Sequence, residues 1–223
     1  MDALAIVESE LAFVQSFYDR AAAPFLLTLH QIEHHLDPFP TIDYQSGEPE
    51  YDTEWSDARK SLNLLGGCVL ALVEVVFKGY CKQFFLEAIE NWETLVKKQK
   101  GSSWFAKYKS TFGSFGIDWD ASGADLALVE QVFLTRNDTM HQDSLWMLGA
   151  ILQSKSHFEK YPDSAFANPI DLVAMTDENG EQVGPLHIEI NRDHIAQSIA
   201  EITTLCRYIE ANPDGQALRF SGA

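Results

Sequence analysis

The run from Leu62 to Phe77 constrains this chain most: its only strongly polar members are Asn63 and Glu74. A helix that is apolar all round has no face to offer water, so other helices must wrap it. The run is shorter than the roughly twenty residues that cross a bilayer, and Glu74 interrupts it. It therefore predicts the centre of a helical bundle in a soluble, cytoplasmic protein with no membrane span. Its helix is expected to start from a cap at Ser56 or Asp57, bend at Gly66-Gly67 and reach about Lys100.

Around that centre the apolar spacing is mostly helical. Leu4, Val7, Leu11, Val14, Phe17 and Tyr18 recur at three and four, predicting a helix over 3–36 with a kink or restart at Pro24. Asp37 to Pro40 stops it, and 37–54 reads as a solvated connector. Gly, Ser and aromatic residues predict a loop of about twenty residues ending near Gly123. Helices follow over Ala124–Leu134 and Leu145–Gln153, and the last over Arg192–Ala211. Between them, Leu172–Thr176 and Leu186–Ile190 flank Asn179-Gly180 and read as a β-hairpin. The expected fold is all-α: a helical bundle with a small β-hairpin insertion before the C-terminal helix. The domains expected are an N-terminal helical arm over 1–40 packed on the bundle, the main domain over 56–211 and a short tail over 212–223.

The chain has 223 residues, with 33 acidic and 16 basic side chains and a net charge of −17. With 46% hydrophobic residues it is no disordered chain. Its charge excludes a general nucleic-acid coat, which needs a basic footprint. Cys68, Cys81 and Cys206 lie far apart in apolar surroundings, which predicts buried thiols in a reducing compartment rather than disulfides or zinc. The N-terminus lacks the basic start of a signal peptide.

The chemistry concentrates in Arg136-Asn137-Asp138-Thr139-Met140-His141. On one helix Asn137 and His141 share a face, so the amide can orient the imidazole. Arg136 lies about 140° from His141, on the apolar side with Val129 and Val132. A guanidinium there must find an anion or acceptor, in the core, in a cleft or at a subunit contact.

Arg136-Asn137-x3-His141 resembles the Arg-polar-x(3–5)-His motif of the HEPN superfamily. The setting is similar too: a long buried helix, a variable loop, a helix ending in the motif, then a hairpin and a terminal helix, over roughly 56–210. The resemblance implies a metal-independent endoribonuclease, often a toxin of a toxin–antitoxin system or an antiviral defence effector. It implies a homodimer in which two motifs line one cleft, so that Arg136 of one subunit meets His141 of the other. Arg136, Asn137 and His141 carry over as catalytic. Family members paired with a nucleotidyltransferase antitoxin often have a tyrosine two residues after the histidine; here that residue is Asp143. No cofactor or metal is expected. The implied partners are RNA, a second copy and an antitoxin or defence protein. The other reading is a non-catalytic interaction or nucleotide-sensing module.

Three further features bear on this. Five of the 16 basic residues fall between Lys97 and Lys109. Lys97, Lys98, Lys100, Lys107 and Lys109, with Trp104 and Tyr108, have the composition of a single-strand RNA-binding surface. The alternative is a basic helix end followed by aromatics that plug the bundle. Glu74 is placed to pair with Lys78 four residues on, or to serve as a buried counter-ion for Arg136. His30-Gln31-Ile32-Glu33-His34 fits the pattern of inverted zinc proteases, but no distant third ligand stands out. His157, His187 and His194 stand alone and suggest no role.

Overall fold

Apolar residues spaced by three and four drive most of this chain into helix, as amphipathic burial requires. The computed structural model describes residues 2–41, 51–88, 92–99, 103–140, 153–174 and 186–221. In order these form α1 (Ala3–Glu33), α2 (Asp52–Ala88), α3 (Trp92–Lys98), α4 (Trp104–Gly113) and a 3-10 turn at Trp119–Ala121. There follow α5 (Leu126–Met140), α6 (Lys155–Lys160), α7 (Pro169–Ala174), α8 (Arg192–Ala211) and α9 (Pro213–Ser221). Among the described residues the fold is all-α, with no strand.

The chain divides into two compact units. One comprises 1–15, 70–134 and 196–223. Its core joins Val7 and Leu11 to Phe77, Phe84 and Phe85 of α2, with Phe112, Trp119, Val132 and Ile202 also buried. Aromatic rings fill much of it: Phe85 packs against Phe112 with centroids 4.5 Å apart, and Phe77 stacks on Phe133 at 5.9 Å. The other unit comprises 16–69 and 135–195. It buries Tyr18, Ala22, Ala58, Val69, Phe166 and Ile188.

Several expectations are corrected. α2 starts at Asp52, ahead of Ser56, and runs through Gly66-Gly67 as one helix to Ala88. Both glycines serve close approach. A Cβ on Gly66 would lie 2.6 Å from Cβ of Ile190, and one on Gly67 would lie 3.0 Å from Cγ2 of Thr139. The loop expected before Gly123 contains α4, capped by Ser103, whose Oγ accepts from the Ala106 amide at 3.2 Å. Its serine was a helix start and its aromatics a buried face. α1 continues through Pro24, and Phe17 of its expected buried stripe is exposed. Cys81 and Cys206 are buried, but Cys68 is exposed.

The hairpin is also corrected. Residues 172–174, expected as strand, belong to α7. Residues 186–190 are extended but pair elsewhere: Ala167 bridges Ile188, Asn168 donates to His187 O at 2.8 Å, and Glu189 donates to Phe166 O at 2.8 Å. Asn63 pins this segment to α2, its Oδ1 accepting from the Ile190 amide at 3.2 Å. That explains one polar break in the apolar run. Asn179-Gly180 and most of the expected helix over 145–153 lie outside the described residues; Gln153 itself is not helical. The expected tail contains α9, which starts at Pro213 where the ring's missing N–H is harmless, with Asn212 Oδ1 accepting from the Asp214 amide at 2.9 Å. α2 is long and apolar enough to cross a membrane by composition alone, yet half of that window is buried inside the protein, as in a core helix.

Candidate functional site

α5 carries Arg136 and Asn137 on its last turns. Asp125 begins the helix, its Oδ1 accepting from the Leu128 amide at 3.0 Å. Val129, Val132 and Phe133 then bury one side. Arg136 follows half-buried and Asn137 exposed, and Nη1 of Arg136 donates to Oδ1 of Asn137 at 3.0 Å. The amide oxygen thus serves the guanidinium, which leaves Nδ2 as the atom that could orient a histidine. Thr139 donates to Arg136 O at 2.8 Å and packs over Gly67, whose missing side chain lets α2 and α5 approach. His141 lies outside the described residues, one position beyond the end of α5.

Asp138 points the other way. Its Oδ2 is 2.8 Å from Nδ1 of His157, and the His157 side chain is fully buried. A carboxylate only accepts, so Nδ1 carries the proton and Nε2 faces Ser164 Oγ at 3.5 Å. The order carboxylate, imidazole, hydroxyl matches a nucleophilic triad. Burial argues against that use: His157 is 0% and Ser164 4% exposed, which gives a substrate no approach. Ser164 Oγ also accepts from the Phe166 amide at 3.3 Å. The network fixes the rotation of the motif helix. Sequence reading missed it because 19 residues separate the partners.

The basic and aromatic strip is half-buried to exposed, its two rings packed against the core of their own unit. The Trp104 ring lies 4.4 Å from Phe133, and its Nε1 donates to Oε1 of Glu74 at 3.0 Å. Tyr108 packs edge-on to Trp104 at 5.2 Å, and burial pushes its hydroxyl up to about 12. Lys109 pairs with Asp120 at 2.5 Å. Lys97 and Lys98 are exposed, Lys107 is half-buried, and Lys100 is outside the described residues. Glu74 is 1% exposed and pairs with Lys78, whose ammonium also sits 4.4 Å over the Trp104 ring. This explains the second polar break. Glu74 and Arg136 belong to different units.

His30 and His34 are exposed, with ring centroids 4.4 Å apart. Among the described residues, no three His, Cys, Asp or Glu side chains gather as a metal site would require. The histidines that suggested no role all have partners. His187 Nδ1 is 2.6 Å from Asp171, and His194 Nδ1 is 3.0 Å from Glu189 O. Burial lowers the pKa of His194. No protein family, no curated protein and no solved structure matches this chain.

Proposed function

We propose that this chain is a metal-independent, HEPN-like endoribonuclease, acting as a cytoplasmic homodimer in defence or growth control and held in check by an antitoxin or defence-system partner. The observation that carries this reading is the Arg136–Asn137 pair at the end of α5, just before His141. In the proposed reaction His141 takes the proton of a ribose 2′-OH, and that oxygen attacks the adjacent phosphorus. The P–O5′ bond breaks and the departing oxygen takes a proton from water, leaving a 2′,3′-cyclic phosphate and a 5′-hydroxyl. Arg136 stabilises the negative charge gathering on the phosphoryl oxygens. Asn137 holds the guanidinium and presents Nδ2 to the imidazole. RNA contact falls to the accessible lysines, Lys97 and Lys98 foremost.

One observation favours the second reading, a non-catalytic HEPN-like interaction module. Trp104 and Tyr108 are half-buried, with part of each ring packed against neighbouring rings rather than open to a base. Incubating single-stranded and hairpin RNA with the purified chain in EDTA separates the two. The nuclease reading expects cyclic-phosphate ends from wild type and a loss of about a hundredfold or more in His141→Ala and Arg136→Ala. A folded, dimeric wild type that leaves every RNA intact would establish the interaction module instead.

A further inference from the structure

We propose that a cleft within the unit formed by 16–69 and 135–195 binds a small organic monocarboxylate with an apolar body. The cleft measures about 480 Å3, within the usual size of small-molecule sites. Leu26, Leu29, Leu62 and Ile190 give it an apolar wall. Two arginines also line it, and they differ in how far each is neutralised. Arg192 is gripped by Asp19 through two bonds, Nε at 2.8 Å and Nη2 at 3.2 Å.

Arg59 is held more loosely. Its guanidinium lies 4.8 Å over the ring of Trp55, one helical turn before it, so its plane is set in advance. Its carboxylate contact, Nη2 to Oε2 of Glu189, is long at 3.5 Å. The same Oε2 accepts a much shorter bond, 2.9 Å, from Nδ2 of Asn168. The Arg59 side chain is 40% exposed. A pre-oriented guanidinium with one long partner, beside apolar walls, is suited to a bidentate carboxylate whose hydrocarbon body covers the leucines.

The remaining charges narrow the ligand. Glu33, Glu189 and Asp193 also line the cleft, and the molecule carries a net charge of −17. That field opposes phosphates and other polyanions while a single carboxylate meets Arg59 directly. An amine could pair only with Glu33, Glu189 or Asp193 and would leave Arg59 without a new acceptor.

Isothermal titration of the full chain with 3-phenylpropionate and octanoate tests this, with phenethylamine and AMP as comparisons. The expected result is sub-millimolar binding of both acids, with the amine and AMP weaker by about tenfold or more. Arg59→Gln should weaken the acids by a similar factor, and Leu29→Trp, which fills the cleft and leaves Arg59 in place, should abolish binding. Circular dichroism verifies that each variant is folded. The proposal is overturned if wild type binds neither acid, if AMP or the amine binds as tightly, or if a folded Arg59→Gln binds unchanged. Should Arg59→Gln fail to fold, acid binding that survives in Leu29→Trp overturns it equally.

Discussion

Asp138 sits inside the Arg136–His141 segment, yet its carboxylate faces the fully buried His157. Truncating it strands a buried ring N–H without its acceptor. Asp138→Ala should therefore lower stability by about 1–3 kcal/mol, against a few tenths for exposed Asn137→Ala. His157→Ala should cost more, because a void replaces the imidazole. The double variant should fall short of the sum by about 1 kcal/mol, the signature of direct coupling. Urea denaturation measures all four. Strict additivity, or an Asp138→Ala as mild as Asn137→Ala, would mean that the pair does not anchor α5. If the nuclease reading holds, loosening this anchor should also lower cleavage although Asp138 touches no substrate, since the rotation of α5 aims Arg136.

At the scale of elements, Gly66 and Gly79 lie on the same helix in opposite situations. A Cβ at Gly66 meets the branched side chain of Ile190 at 2.6 Å and its carbonyl oxygen at 3.2 Å, whereas at Gly79 nothing lies within 4 Å. Gly66→Ala should destabilise by about 1–3 kcal/mol through overpacking. Gly79→Ala should stabilise by up to about 1 kcal/mol through helix propensity. Thermal unfolding of both tests whether the segment at 190 is seated against α2. These cases also show which elements were legible in the sequence. α8 was readable from Arg192 to about Ala211, because Ile195, Ile199, Ile202, Leu205 and Ile209 form one apolar stripe, all but half-buried Ile199 fully buried. α4 was not: its glycine, serines and rings read as a loop until a tertiary pocket was there to receive the rings. The short extended segment at 186–190 was visible, but its partner was not. A turn signal argues for the nearest neighbour, while the backbone bonds go to 166–168. Of the candidate site, a helix was legible over 124–134, but not its continuation through Arg136 to Met140, nor the inward direction of Asp138. A polar side chain's direction depends on what the rest of the fold brings within 3 Å.

Over the whole molecule, burial sets the response to alkali. Tyr18, Tyr80 and Tyr108 are raised above the ordinary tyrosine value mainly by desolvation, Tyr108 to about 12 and Tyr80 further still. Tyr80 also donates to Glu210 at 2.9 Å, which a phenolate could not do. The folded state holds these protons more tightly than the unfolded chain does. Their contribution is thus complete below about pH 10, the unfolded value, and is lost as pH rises through the folded values. Urea midpoints should begin to fall near pH 9, where the thiols of Cys81 and Cys206 ionise in the unfolded chain, and fall more steeply from about pH 10 towards pH 12 as the tyrosines add to it, with phenolate absorbance appearing as the chain unfolds. Tyr80→Phe should flatten the fall; an unchanged slope would place the alkaline sensitivity elsewhere. Burial also sorts the thiols. Cys81 and Cys206 are buried and raised above the ordinary value, whereas Cys68 is exposed, next to the Gly67 that faces Thr139. Nature has left one natural attachment point for a fluorophore or spin label beside the motif helix, from which its movements can be followed with no engineered cysteine.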